Sequence, residues 1–215
     1  MAITVYKKEY KAPEIDAREA LRYAGVRGDS PESERLLSEV VSESAGVFTY
    51  NVVYARLSAE EAAGVIGVAT NEALASPEKP YSRLYSERLF DVSEVILFAA
   101  SVGVGVDRMI RRYCVSSPSR AVMLDALGSE RVEALLDAFC EDMNVEAGAI
   151  GCRALPRFSP GYGDLPLALQ SRILTALDAP RILGVGLNES LLMSPSKSVT
   201  AIMGIARHAR LPEEK

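Results

Sequence analysis

A ten-residue segment in the second half of the chain combines the residue types that can hold a small charged ligand. The segment reads Arg157-Phe158-Ser159-Pro160-Gly161-Tyr162-Gly163-Asp164-Leu165-Pro166. Proline fixes φ and glycine reaches backbone angles that other residues avoid, so the segment can present its polar groups in one geometry. The planar guanidinium of Arg157 can bind a carboxylate through two parallel hydrogen bonds. The same composition also suits a structural turn, and the residues alone leave both interpretations open.

A row of carboxylates on a predicted helix is a second candidate group. Glu133, Asp137 and Glu141 are spaced i, i+4 and i+8, which places them on one helix face. Like charges at this spacing destabilise a helix by roughly a few tenths of a kcal/mol per pair. A bound cation would offset that repulsion, whereas a solvated acidic face needs no ligand.

The turn Ser101-Val102-Gly103-Val104-Gly105 is a third candidate, because glycines before a helix let backbone N–H groups approach a phosphate. It lacks the third glycine of a dinucleotide-binding motif and the Gly-Lys-Ser/Thr ending of a phosphate loop. We therefore expect these glycines to serve a tight turn and close packing. A small phosphate-binding enzyme stays as an alternative.

Composition excludes several classes of protein. The chain has 215 residues, 48% of them hydrophobic, which fits a single domain over 1–215. A formal net charge of −5 argues against nucleic-acid binding. The longest apolar stretch, Val95 to Val106, is about a dozen residues, short of the roughly 20 that a membrane-spanning helix needs. The first residues lack the pattern of a signal peptide, so we expect a cytoplasmic protein.

Cysteine and histidine are too scarce for most metal or hydrolytic sites. The three cysteines, Cys114, Cys140 and Cys152, contain no Cys-x-x-Cys pair, which predicts neither a disulfide framework nor a thiolate metal site. His208 is the single histidine and stands near the end of the chain, where we expect 207–215 to fray. A Ser-His-Asp hydrolase is therefore not expected.

The sequence pattern also predicts the elements that must position these groups. Ser30 suits a helix N-cap and Pro31 a first turn. Other helices are predicted over about 14–25, 80–89, 106–113, from 118 with an interruption near Gly128-Ser129, and from about 165 to 177. Strands are predicted over 47–57, 92–101, 181–187 and 198–206. Helices and strands mix without strict alternation, which indicates an α+β fold. The buried face of the long helix is predicted to contain Val132, Leu135, Leu136, Phe139 and Met143.

Several of these motifs together resemble the reactivation domain of cobalamin-dependent methionine synthase. The segment Arg157 to Pro166 is similar to that family's Arg-x-x-Pro-Gly-Tyr-x-x-x-Pro signature. Asn188-Glu189-Ser190 stands where the family has a Thr-Glu-Ser box, and 195–200 is similar to its Pro-x-x-Ser-Val-Ser stretch. The helix 126–133 and the turn at 99–103 also have counterparts. The resemblance is clearest over 90–206 and finds no match before residue 90.

The resemblance implies a mixed, largely antiparallel sheet with helices, and a binding site for S-adenosylmethionine. In the family, the signature arginine contacts the ligand and a helix glutamate holds its polar end. By position, Arg157 and Glu133 take these roles. The further site residues that the resemblance implies are Ser159, Gly161, Tyr162 and Glu189. Two family features have no counterpart in this chain, namely an acidic residue near the start and a paired-tyrosine segment after the Ser-Val stretch, so part of the pocket is expected to be missing.

In functional terms, the resemblance implies an accessory subunit that reactivates the cobalamin of a split methionine synthase by reductive methylation. S-adenosylmethionine would be the methyl donor, a partner protein would supply the cobalamin, and a flavodoxin-like protein would donate the electron. The chain itself has no Asp-x-His-x-x-Gly cobalamin-ligand motif. The alternative is a non-catalytic docking module for a corrinoid protein that has lost ligand binding.

Overall fold

A five-stranded sheet is the centre of the fold in the computed structural model, which describes residues 3–66, 90–162 and 165–208. Its strands are β1 Tyr6–Glu9, β2 Asn51–Leu57, β3 Phe90–Ser101, β4 Cys152–Ala154 and β7 Ser198–His208. Their order in the sheet is β1-β2-β3-β7-β4, and every pairing in these ranges is antiparallel. The α+β fold with a largely antiparallel sheet is thereby confirmed.

Helices cover both faces of this sheet, which explains why β3 is apolar along most of its length. Successive residues of a strand point to opposite faces. Ile96, Phe98 and Ala100 accordingly join one hydrophobic cluster, while Leu97 and Ala99 join the other. The first cluster includes residues of α1 Ala17–Tyr23, α2 Pro31–Glu43, α4 Val104–Ser116 and α5 Pro118–Gly148, and the second those of α3 Ala59–Ile66, α6 Leu169–Ala176 and α7 Ala179–Leu183.

Helix α5 is continuous over 31 residues, so the predicted interruption near Gly128-Ser129 is wrong. A Cβ at Gly128 would lie 3.0 Å from Cγ of Lys197 and 3.2 Å from Cγ1 of Val106. The glycine therefore permits close packing inside a helix and does not end it. The predicted buried face is confirmed, since it contains Val132, Leu135, Leu136, Phe139 and Met143.

The other predicted helices within the described residues lie where the structure has helices, but their first and last residues differ. Ser30 caps α2, its hydroxyl accepting a hydrogen bond from the backbone N–H of Ser33. Helix α6 begins only at Leu169, four residues after the expected start near 165. The predicted helix at 80–89 lies outside the described residues, as do residues 209–215 of the predicted frayed tail, while β7 extends to His208.

The predicted strand at 181–187 is wrong over most of its length. Pro180 stands in the first turn of α7, where a missing N–H costs nothing, and Gly184 ends that helix at φ 68°. Only β5 Gly186–Leu187 is extended, and it pairs with β6 Met193–Ser194 in a small hairpin. In the ranges that the structure describes, no helix is long and apolar enough to span a bilayer.

Candidate ligand-binding site

A cleft of about 410 Å³ opens beside the start of β7. Four of the six predicted site residues line it, namely Arg157, Glu133, Ser159 and Tyr162. The rest of the wall consists of Tyr23, Phe158, Pro160, Leu167, Gln170, Met193, Ser198, Val199 and Thr200. Its volume falls in the range of roughly 300–1,000 Å³ typical of small-molecule sites.

A backbone contact with β7 fixes the position of the Arg157 segment. The N–H of Phe158 donates to the carbonyl of Ile202 at 3.0 Å, and the N–H of Ile202 donates to the carbonyl of Phe158 at 2.9 Å. This isolated antiparallel bridge joins an irregular segment to the longest pairing of the sheet. Arg157 and Ser159 are thus held on either side of an anchored residue.

Arg157 and Glu133 form an ion pair at the wall of the cleft. Nη2 of Arg157 donates to Oε2 of Glu133 at 2.6 Å and lies 3.5 Å from Oδ1 of Asp137. The Arg157 side chain is 25% exposed and that of Glu133 39%. Burial alone would lower the pKa of Arg157, but the hydrogen bond and charge of Glu133 outweigh it and raise that pKa above its ordinary value. An opposed guanidinium and carboxylate can receive the two charges of an amino acid head group.

The turn after Arg157 shapes the mouth of the cleft. Gly161 adopts φ 94°, a conformation that favours glycine, and its N–H donates to the carbonyl of Leu165 at 2.8 Å. The N–H of Tyr162 donates to the carbonyl of Ser159 at 3.2 Å. Tyr162 is 69% exposed, so its ring is free to cover a ligand. Gly161 itself does not line the cleft but sets the direction of the chain between two residues that do.

Glu189 lies apart from this group. It stands in the exposed turn of the β5-β6 hairpin, where Oδ1 of Asn188 accepts hydrogen bonds from the N–H groups of Ser190 and Leu192, both at 2.9 Å. Glu189 is not among the residues that line the cleft. Its assignment as a ligand contact stays a prediction that its position does not support.

Three polar wall residues were not predicted from the sequence. Tyr23 comes from the end of α1, and burial together with the nearby charge of Glu133 raises its pKa. Gln170 of α6 is nearly buried, and its Nε2 is 3.5 Å from the carbonyl of Leu191. Thr200 of β7 is 1% exposed. A lone hydroxyl within the apolar run of β7 was the one signal in the sequence that could have drawn attention to Thr200.

Contacts with two helices hold the segment that leads into β7. The carboxylate of Asp107 accepts a hydrogen bond from the N–H of Ser196 at 2.9 Å and another from its hydroxyl. Nζ of Lys197 is 2.8 Å from Oδ1 of Asp125, and Oγ of Ser198 donates to Oγ of Ser101 at 2.9 Å. These contacts therefore hold the cleft wall at 198–200 in place.

The glycine turn at 101–105 serves packing, as expected. Gly103 adopts φ 90°, and a Cβ at Gly105 would lie 2.7 Å from the carbonyl oxygen of Val47. The turn is closed against its own chain, and neither glycine lines the cleft.

Comparisons with known proteins agree with this architecture. No protein-family model matches the chain, and no curated protein sequence matches it. Among solved structures, the crystal structure of the MetH reactivation domain bound to AdoHcy is similar over 99% of this chain and 80% of its own, with a TM-score of 0.67 and 16% identity. The chain has the fold of that reactivation domain. The similarity also covers the described residues 3–66, where the sequence motifs found no counterpart.

Proposed function

We propose that this chain binds S-adenosylmethionine in the Arg157 cleft and serves as an accessory subunit for reductive methylation of cobalamin held by a separate protein. The observation that carries the proposal is the Arg157-Glu133 pair at 2.6 Å in a cleft, within a fold of which one solved structure contains bound AdoHcy. That ligand, S-adenosylhomocysteine, is what S-adenosylmethionine becomes when its methyl group leaves.

The donor groups of the cleft fit such a ligand. The α-carboxylate would accept from the guanidinium of Arg157, and the α-ammonium would donate to Glu133. Tyr162 at the mouth offers an aromatic face to the adenine or to the sulfonium, which is a cation. Gly161 would act by shaping the turn between Ser159 and Tyr162. Binding opens the existing ion pair and replaces it with two new ones.

The task of this chain is to position the methyl donor. The partner's cobalamin would supply the nucleophile, and a flavodoxin-like donor the electron, so that the methyl group passes from sulfur to the cofactor and S-adenosylhomocysteine is released. Methyl transfer from a sulfonium requires no proton transfer, which suits a cleft without a histidine in its wall. We also propose that the protein acts in the cytoplasm.

Calorimetry with the purified chain tests the proposal. Saturable binding of S-adenosylmethionine and S-adenosylhomocysteine is expected, at the same site and in competition with each other. If neither ligand binds, with or without a corrinoid protein present, the proposal is wrong.

A non-catalytic docking module is the second candidate, and one observation favours it. Arg157 and Glu133 already neutralise each other, so the cleft needs no ligand to satisfy its charges. In that case a corrinoid protein would bind this chain with an affinity that S-adenosylmethionine does not change. Coupled binding, in which each ligand strengthens the other, would exclude it.

A further inference from the structure

Thr200, in the wall of the cleft, has a buried hydroxyl that forms no hydrogen bond within the described part of the chain. Thr200 is 1% exposed, and among the described residues its Oγ1 has no hydrogen-bond partner. Burying a hydroxyl without a hydrogen bond is unfavourable, and native structures contain few such groups. Because Thr200 lines the cleft, a ligand there is the natural source of the missing partner.

The neighbouring hydroxyl, that of Ser198, has the kind of hydrogen-bond partner that the hydroxyl of Thr200 lacks among the described residues. Ser198 points to the same face of β7 as Thr200, since strand side chains alternate. Its hydroxyl donates to Oγ of Ser101 at 2.9 Å, which in turn accepts from the N–H of Gly103 at 3.1 Å. The hydroxyl of Ser198 thus has partners within the protein, whereas that of Thr200 has none among the described residues.

Thr200 lies some way along β7 from the charged end of the cleft. Phe158 is bridged to Ile202, which places Arg157 beside Met203 on the antiparallel strand. Thr200 is three residues further along β7, roughly 10 Å at about 3.3 Å per residue. Arg157 and Thr200 thus line different parts of the same cleft. A ligand with an amino acid at one end and a nucleoside at the other is long enough to contact both.

From this placement we infer that Thr200 is a specificity-determining residue whose hydroxyl forms a hydrogen bond with the nucleoside part of the ligand. The inference rests on the proposed function and adds a contact for the uncharged end of S-adenosylmethionine. Gln170, also nearly buried in the wall on α6, faces the same side of the sheet as Thr200. The cleft then has an ionic end at Arg157 and a neutral polar end at Thr200.

Two ligands and two variants test the contact at Thr200 and the contact at Arg157 independently. S-adenosylhomocysteine carries both parts, whereas 5′-methylthioadenosine carries the nucleoside without the amino acid. Thr200→Val keeps the branched shape and removes the hydroxyl. It is expected to weaken both ligands by the same factor, about threefold to tenfold, the usual effect of one neutral hydrogen bond. Arg157→Met is expected to weaken S-adenosylhomocysteine only.

Thr175→Val is the matched control, because Oγ1 of Thr175 donates to the carbonyl of Ser171 within α6, on an exposed position outside the cleft. It should leave both affinities unchanged. Without ligand, Thr200→Val should melt at the same temperature as the natural chain or higher, since an unpartnered hydroxyl is removed.

Several results would overturn the inference. Unchanged binding of both ligands by Thr200→Val removes the contact, while the proposed function stands. Loss confined to S-adenosylhomocysteine assigns the hydroxyl to the head group instead. A lower melting temperature without ligand shows a structural partner for the hydroxyl. If the natural chain binds neither compound, the proposed function fails and this inference with it.

Discussion

Nη2 of Arg157 donates to Oε2 of Glu133 across 2.6 Å, so the two residues expected to hold opposite charges of one ligand hold each other in its absence. The pair joins the irregular segment after β4 to the middle of α5, which are 24 residues apart in sequence. Its side chains are only partly buried, and such pairs contribute about 0–1 kcal/mol to folding. The pair is therefore easily exchanged for ligand contacts.

Replacing Arg157 should affect binding much more than folding. Arg157→Met removes the fork that receives the carboxylate, and a hydrogen bond to a charged group contributes roughly 1.5–3 kcal/mol, so binding should weaken by about tenfold to a hundredfold. The free energy of unfolding should fall by less than about 1 kcal/mol. Calorimetry with S-adenosylhomocysteine and urea denaturation measure the two effects.

Arg181→Met provides the matched control, because Arg181 is 75% exposed and pairs with Asp178 three residues earlier. It should change neither quantity. An Arg157→Met variant that binds S-adenosylhomocysteine as the natural chain does would remove Arg157 from the site.

A substitution in the turn that contains Gly103 and Gly105 tests whether these glycines serve packing or phosphate binding. Gly105→Ala places a Cβ 2.7 Å from the carbonyl oxygen of Val47, a backbone atom that cannot move aside easily. We expect a loss of about 1–3 kcal/mol in the free energy of unfolding, as for other overpacked sites. Gly148→Ala, which meets nothing within 4 Å, should cause no loss. Binding of ATP by the natural chain, abolished in Gly105→Ala, would instead support a phosphate site.

A buried ion pair anchors the N-terminal segment to α5. We expect its loss to lower the free energy of unfolding more than the loss of a surface pair does. The side chains of Glu130 and Arg131 are only 3% and 2% exposed. Arg131 donates to the backbone carbonyls of Pro13 at 2.6 Å and of Glu14 at 2.5 Å, while Oε1 of Glu130 accepts from the N–H of Asp16 at 3.0 Å. Glu130→Gln leaves a buried guanidinium without its counter-charge and should cost roughly 3–5 kcal/mol.

Urea denaturation checks this expectation, and Glu19→Gln is the control because the Glu19-Arg22 pair is on the surface. Equal effects of the two substitutions would show that the Glu130-Arg131 pair does not anchor the N-terminal segment. The double variant Glu130→Gln with Arg131→Met should recover part of the loss, because no buried charge then remains.

The resemblance, and not periodicity, predicted that Arg157 and Glu133 belong to one ligand site, and their direct contact is a finding of the structure. Helical spacing placed Glu133 in a row with Asp137 and Glu141, but it could not tell that Glu130 one turn earlier is the buried carboxylate. Burial of a charged residue depends on a partner distant in sequence, here the carbonyls of Pro13 and Glu14, and local pattern contains no information on it.

The same reasoning separates the correct element predictions from the wrong ones. Strand β3 and the buried face of α5 follow from apolar periodicity, which the fold uses directly. An isolated glycine disfavours a helix, so the sequence predicts a break at Gly128, yet the close approach of Lys197 and Val106 overrides that preference. At Pro180 the same residue type can end one helix or begin the next, and only the packing of Ala179 in the core decides.

The thiol of Cys140 should be inert despite its closeness to the cleft. Burial raises the pKa of Cys140 to about 11, an effect that the charge of Arg157 only partly offsets. A raised pKa keeps the thiol protonated, so the reactive thiolate is scarce at pH 8. Iodoacetamide at pH 8 should therefore modify the exposed Cys114 well before Cys140, as peptide mass spectrometry would show. Faster labelling of Cys140 would contradict the burial argument.

The charges around Arg157 should favour the methyl donor over its product. S-adenosylmethionine carries one net positive charge and S-adenosylhomocysteine none, while Glu133 and Asp137 outnumber Arg157 at this wall. Exposed charges of this kind contribute about 0.2–1 kcal/mol, which is a preference of about 1.4-fold to fivefold for S-adenosylmethionine at low salt. Salt screens such an attraction, so the ratio of the two affinities should approach one near 1 M NaCl, where the Debye length is about 3 Å.

Asp137→Asn should reduce this preference without changing the affinity for S-adenosylhomocysteine. Asp137 is 76% exposed and 3.5 Å from Arg157, so the substitution removes a charge and leaves the polar shape. Asp178→Asn, on the exposed Asp178-Arg181 pair, is the control and should leave the ratio of affinities as it is. Calorimetry of both ligands with the natural chain and the two variants, at low and high NaCl, gives the six ratios of affinities needed. A preference for S-adenosylmethionine that persists unchanged in 1 M NaCl would mean that direct contacts with the methyl or sulfonium group cause it, and not the acidic wall.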